Sequence, residues 1–171
     1  GYDQGDHLVR AFAERLKEIM PPGTEMGRLA AGEFVVLIRD ASQSGPVREL
    51  VEDMIARLMQ PYQLPSHLQS VTVAIGVAAM PEHGVDPVML LRFSNLALQH
   101  ARTGGPGNWA MFHEQMGRVA EYRQWIETEL NVAFTRGDFE LHYQPQHDLA
   151  SGRVVGYEAL LRWRHPERGM I

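Results

Sequence analysis

Hydrophobic positions along the chain change period several times, and each change marks a new element. Leu8, Val9, Phe12, Leu16 and Ile19 recur at three- and four-residue spacing and predict an amphipathic helix, which Pro21-Pro22-Gly23 ends. Two short strand patterns follow at 25–29 and 33–39, with Ala30-Ala31-Gly32 between them. They predict a β-hairpin with Gly32 available for a positive φ. A loop over 41–46 leads to a second helix, carried by Val47, Leu50, Val51, Met54, Ile55, Leu58 and Met59 and stopped at Gln60-Pro61. Val71, Val73, Ile75 and Val77 alternate within 70–79 and predict a strand. Asp86-Pro87 has the form of an N-cap followed by proline at the first helical position. The helix it opens runs through Leu90, Leu91, Leu98 and Ala101 to the breaker Gly104-Gly105-Pro106-Gly107, and residues 109–112 form a short strand.

A long helix is expected over 114–136, with an apolar stripe of Met116, Val119, Ile126, Leu130, Ala133 and Phe134. At 1.5 Å per residue it spans about 35 Å. Tyr122 and Trp125 on this helix are free to pack on either neighbouring domain or on a second copy of the helix. Gly137-Asp138 ends it, and strands follow at 139–146 and 153–163. The intervening residues 148–152 are too few for the crossover that parallel strands need, so the pair is an antiparallel hairpin. Such a hairpin is marginal alone. The fold class is therefore α+β up to about residue 112, then a connecting helix, then a hairpin that belongs to a second domain. The ends, Gly1-Tyr2-Asp3 and Gly169-Met170-Ile171, read as cuts inside a longer protein.

Composition narrows the chemistry. The 171 residues carry 44% hydrophobic and 22% charged positions, as a soluble globular protein does. A net charge of -5 offers no basic stripe for a phosphate backbone, so nucleic acid is not an expected partner. With 0 cysteines there is neither a disulfide framework nor a thiolate metal site, and a reducing, cytoplasmic setting is expected. No apolar run approaches the roughly 18 residues of a membrane span, so any anchor lies outside the chain. The 8 histidines lack metal-ligand spacing and read as surface or core residues, and the 9 methionines read as core filler.

Two segments could carry chemistry. In the first hairpin, Glu33 follows a turn of small residues. In the last, alternation puts Glu158, Leu160 and Arg162 on one strand face, and His142, Gln144 and Gln146 on one face of the partner strand. A carboxylate and a guanidinium so placed could serve a phosphate ester as metal ligand and charge-assisted donor. A cross-face ion pair of little energetic weight accounts for the same letters.

Arg28-Leu29-Ala30-Ala31-Gly32-Glu33-Phe34 resembles the signature turn of GGDEF-type diguanylate cyclases, R-[YL]-G-G-[DE]-E-F. Gly5-Asp6, VTVAIGVA at 71–78 and SNLALQHAR at 94–102 resemble that family's flanking segments, so the resemblance covers 1 to about 112. In the family two glycines let the backbone approach GTP phosphates, and two adjacent acids hold divalent metal with a further Asp. Here the glycines are Ala30 and Ala31, the first acid is Gly32, and Glu33 alone remains. The resemblance places Asp6 at a guanine-contacting position and Arg102 at a phosphate-contacting one, which with Glu33 make a vestigial GTP site. The family's R-x-x-D product-inhibition site falls on Pro21 and Thr24. It implies a regulatory or dimerising module that does not synthesise cyclic-di-GMP and binds GTP weakly at most.

Phe139-Glu140-Leu141-His142-Tyr143-Gln144-Pro145-Gln146 and Gly156-Tyr157-Glu158-Ala159-Leu160-Leu161-Arg162-Trp163-Arg164-His165-Pro166 look like the opening of EAL domains. That family has a TIM-type barrel whose first strand runs antiparallel. The resemblance implies that Glu158 is a ligand of Mg2+ or Mn2+ and that Gln144 and Arg162 contact cyclic-di-GMP. The remaining acids and the catalytic Lys would lie beyond Ile171, so no catalytic residue is expected within the chain. It implies a degenerate GGDEF domain at 1–112, a linker helix at 113–137 and the start of an EAL phosphodiesterase domain at 138–171. A non-catalytic cyclic-di-GMP receptor and a dimerisation or GTP-sensing module are the alternatives, and a homodimer is compatible with each.

Overall fold

A computed structural model describes residues 2–39 and 46–171; residues 41–45 of the expected loop lie outside the described residues. The chain divides into two compact units, Gly1–Gly117 and Arg118–Ile171.

The first unit contains α1 (Tyr2–Ile19), β1 (Glu25–Ala30), β2 (Glu33–Leu37), α2 (Val47–Leu58), β3 (Tyr62–Gln63), β4 (Leu68–Gln69), β5 (Ile75–Val77), α3 (Pro87–Thr103), β6 (Trp109–Met111) and the start of α4 (Glu114–Arg136). The apolar faces read from the sequence meet in its core. Leu16 of α1 packs with Met54 and Leu58 of α2, and Phe12, Phe34, Val36 and Ile75 close around them. A second cluster joins Ala97 of α3 to Phe112 and Met116, with Phe93 stacked on Phe112 at 4.1 Å between ring centroids. Burial of these side chains, at roughly 1.5–3 kcal/mol each, offsets the ordering entropy of the helices that carry them. Arg15 fastens α1 to the end of α2. Its guanidinium donates to the Pro61 carbonyl at 3.0 Å and lies 3.6 Å from the centre of the Tyr62 ring. Tyr62 is fully buried and donates its hydroxyl to the Leu58 carbonyl. Burial raises its pKa above the ordinary phenol value.

β1 and β2 form the expected antiparallel hairpin, with Ala30 opposite Glu33. Gly32 does not adopt a positive φ, contrary to the expectation. The turn of Ala31 and Gly32 closes within ordinary backbone conformations, with a register shift between Arg28 and Ala30 absorbing the misfit. The strand expected over 70–79 contracts to β5, which pairs in parallel with the three residues of β6. Alternation reports an extended, half-buried backbone, whereas pairing extends only as far as the partner strand does. Asp86 caps α3 by accepting the Met89 amide at 2.9 Å, as the Asp-Pro signal predicts. α3 lies so close to β5 that a Cβ on Gly76 would stand 2.1 Å from the Ser94 carbonyl oxygen and 2.2 Å from the Leu98 nitrogen.

The second unit holds the rest of α4, β7 (Phe139–His147), β8 (Val154–His165) and β9 (Gly169–Met170). β7 and β8 are antiparallel, and β9, which the sequence pattern did not reveal, pairs antiparallel with the end of β8. Trp125 of α4 stacks on Trp163, with ring planes 11° apart, while the Arg168 guanidinium covers its ring at 3.9 Å. His165, buried beside Trp163, accepts the Glu167 and Arg168 amides at Nδ1. Of the placements open to Trp125, the structure thus shows packing on the hairpin. The β7–β8 turn is held by Asp148, whose carboxylate accepts both the amide and the hydroxyl of Ser151. These bonds hold the Asp148 pKa below the usual carboxylate value. Among the described residues, no helix is long and apolar enough to cross a membrane, and no strands close into a barrel.

Gly76→Ala is expected to destabilise the first unit by about 1–3 kcal/mol, because the added methyl meets helix backbone rather than a movable side chain. Urea titration followed by circular dichroism measures it. Asp148 stabilises the hairpin above the pKa of the unfolded carboxyl, about 4, and loses that contribution as pH falls through the lower folded value. The Tm difference between the unaltered chain and Asp148→Ala should therefore shrink on acidification through this window and stay constant above it.

Candidate functional site

In the first hairpin, the turn is occupied by the protein's own cations. Arg28 on β1 folds back and donates from Nε to the Ala30 carbonyl at 3.2 Å and from a terminal nitrogen to the Ala31 carbonyl at 3.4 Å. Glu33, at the start of β2, accepts from Arg102 near the C-terminus of α3 at 3.2 Å. Two of the three residues assigned to the vestigial GTP site are thus brought together across 69 positions of sequence. Their side chains are 47% and 37% exposed, so the pair contributes little to stability. Asp6 lies exposed on α1, and its carboxylate makes no hydrogen bond or ion pair among the described residues. Glu33 brings a single carboxylate, already engaged by Arg102, and the turn offers no second acid. This donor set does not fit the two-acid metal site of the cyclase turn. A Cβ added at Gly32 would meet nothing within 4 Å, so space does not prevent an acid there.

The hairpin of the second unit gathers its polar groups by register. Gln144 stands directly opposite Glu158, His142 opposite Leu160 and Glu140 opposite Arg162. Because opposed residues point to the same side of a sheet, Gln144, Glu158 and Arg162 share one face, as the alternation predicts. Glu158 is exposed, and its carboxylate makes no hydrogen bond or ion pair among the described residues. The half-buried Arg162 donates to the Leu161 carbonyl at 3.3 Å and pairs with no carboxylate among the described residues. The other face carries Leu141, Tyr143, Tyr157 and Leu161, all well exposed, and ends at the buried Trp163.

The structure adds residues that the sequence reading did not single out as functional. Glu140 lies on the polar face and accepts from Arg164 at 2.9 Å, with the His142 Nε2 at 3.5 Å from the same oxygen. The same two-residue alternation places Glu140 and Arg164 on this face, but nothing in it shows which cation Glu140 engages. Among the described residues no three His, Asp or Glu side chains converge to hold a metal. Of the two carboxylates on that face, Glu140 is engaged by Arg164 and His142 and Glu158 alone is unpaired among the described residues, which does not make a two-metal site.

Comparison with known proteins gives these hairpins their context. The family model "Diguanylate cyclase, GGDEF domain" matches residues 1–108, and the "EAL domain" model matches residues 127–171. The bifunctional diguanylate cyclase/cyclic di-GMP phosphodiesterase MucR of Pseudomonas aeruginosa is 33% identical over 100% of this chain. The cyclic di-GMP phosphodiesterases NbdA of the same organism and PdeR of Escherichia coli are each 33% identical, again over 100% of the chain. The chain spans only 25%, 22% and 26% of the lengths of these three relatives. Among solved structures, an EAL/GGDEF domain protein from M. capsulatus superposes with a TM-score of 0.62 at 28% identity, over 66% of this chain and 73% of that one. The GGDEF domain of YfiN from Pseudomonas aeruginosa shares the fold with a TM-score of 0.60 at 24% identity, over 66% of this chain and 71% of that one. The chain therefore belongs to the diguanylate cyclase GGDEF-domain family and carries, after that domain, a partial EAL domain.

Proposed function

We propose that the chain is the junction of a cyclic-di-GMP signalling protein, in which a GGDEF domain without cyclase chemistry regulates an EAL phosphodiesterase. The domain division in this reading is 1–112, 113–137 and 138–171. The observation that carries the EAL half is the face shared by β7 and β8, where Gln144 stands against Glu158 and, among the described residues, Arg162 takes no ion pair because Glu140 across from it is engaged by Arg164. A free carboxylate and a free guanidinium on one face suit a phosphodiester, one as a ligand for Mg2+ or Mn2+, the other as a donor to phosphate. Gln144 supplies an amide to the same ligand. Within a complete barrel these groups would bind cyclic-di-GMP for hydrolysis to linear pGpG. The 22–26% share of these relatives' length that the chain spans makes this a statement about the larger protein.

The GGDEF half is supported by what the turn now contains. Ala30 and Ala31 place methyl groups where close phosphate approach requires none, and Gly32 removes an acid. Arg102, the candidate phosphate contact, is paired with Glu33. GTP binding is accordingly weak at most.

Incubating the chain with GTP and Mg2+ should yield no cyclic-di-GMP by chromatography; detectable product would overturn the regulatory reading. In a protein carrying this hairpin within a complete EAL barrel, Glu158→Ala should abolish phosphodiester hydrolysis, with partial recovery in excess Mn2+. Arg162→Ala should raise KM for cyclic-di-GMP by roughly tenfold to 150-fold, the equivalent of about 1.5–3 kcal/mol for a charge-assisted contact. Added metal should not reverse that loss. Unchanged hydrolysis in Glu158→Ala would make the residue structural.

A further inference from the structure

Arg162 has an acid directly across from it and does not use it. Glu140 is its register partner, and residues opposed in this way have Cβ atoms about 4.5–5.5 Å apart, the usual distance for a cross-strand ion pair. The Glu140 carboxylate turns instead to Arg164, which lies one diagonal step further along β8, and receives its terminal nitrogen at 2.9 Å. A diagonal partner about 7–8 Å away is within reach of a long side chain. The backbone at Arg164 is fixed from both sides: its amide donates to the Asp138 carbonyl at 2.9 Å, and β9 pairs with it through Met170. His142 adds a second contact to the same carboxylate oxygen at 3.5 Å. The Arg162 guanidinium is left with one hydrogen bond among the described residues, to the Leu161 carbonyl.

We infer that Arg164 is a positioning residue that draws Glu140 away from Arg162 and so keeps the Arg162 guanidinium available to a phosphate of a cyclic dinucleotide. The ligand in this statement rests on the proposed function above; the exchange of partners does not. With Arg164 engaged, an incoming phosphate has no carboxylate to displace from Arg162. Without it, Glu140 would fall to its register partner and compete with the ligand. The buried indole of Trp163 lies between the two arginines in sequence and points to the opposite face, which keeps their side chains on one side.

The test measures the availability of Arg162 in the intact chain. Phenylglyoxal, which modifies guanidinium groups, is applied under limiting conditions, and adducts at Arg162 are quantified by peptide mass spectrometry against Arg153 in the same hairpin. Arg164→Gln should slow modification of Arg162 roughly two- to fivefold, the range open to a surface ion pair, with Arg153 unchanged. Glu140→Gln added to Arg164→Gln should restore the original rate, and Arg164→Lys should keep it. A merely structural effect of Arg164 would not be reversed by removing Glu140. An Arg162 rate unaffected by Arg164→Gln, or still slow in the double variant, overturns the inference. Circular dichroism confirms that each variant is folded, and Arg164→Met against Glu140→Gln/Arg164→Met gives the same comparison if the glutamine variant is not. Protection of Arg162 by cyclic-di-GMP is scored separately: its absence removes the proposed ligand while the exchange of partners stands or falls on the variants.

Discussion

The register between β7 and β8 is the constraint on which the functional reading depends. Side chains alternate with a period of two, so a slip of one residue would move Glu158 and Arg162 to the opposite face and put Leu161 and Tyr157 in their place. Two devices hold the register from opposite ends. At the turn, Asp148 accepts twice from Ser151, and the Gly152 amide donates to the Asp148 carbonyl at 2.8 Å. At the far end Trp163 is anchored by Trp125 of α4 and by Phe139, its own register partner. The polar face between them is thereby held at both ends, and Glu158 and Arg162 on it take no ion pair among the described residues.

The two hairpins show opposite treatments of charge. In the GGDEF-type turn the cations are spent internally, Arg28 on the turn carbonyls and Arg102 on Glu33. In the EAL-type hairpin the internal pairing is confined to Glu140, His142 and Arg164, and both Glu158 and Arg162 remain without a countercharge among the described residues. The hairpin shape survives in the first case because it is held by packing. Phe34 and Val36 of β2 lie against the core formed by Leu16, Met54 and Leu58. The strands thus keep their place through burial and not through the exposed residues of the turn between them.

Much of this was legible in the residues. Periodicity located α1 to α4, the Asp86-Pro87 cap gave the start of α3, and a connection far too short for a crossover made β7 and β8 antiparallel without further information. Alternation also grouped Glu158 with Arg162. These features are local: they follow from backbone geometry repeated over a few residues. The family resemblance added the barrel context and the ligand, which no spacing supplies.

What only the tertiary structure decided lies where distant segments compete. The strand over 70–79 shortened to Ile75–Val77 because its parallel partner is three residues long. Gly32 keeps an ordinary φ, and the hairpin carries a register shift between Arg28 and Ala30. The requirement for glycine at position 76 came from the Ser94 and Leu98 backbone of α3 lying against β5. The choice of Glu140 between Arg162 and Arg164 turned on side-chain reach across two strands. The chain's own sequence fixed which residues share a face, because that depends on the two-residue period of a strand. It did not fix which of them touch, because contacts on that face depend on the cross-strand register and on competition among long side chains, and these exist only once the strands have paired.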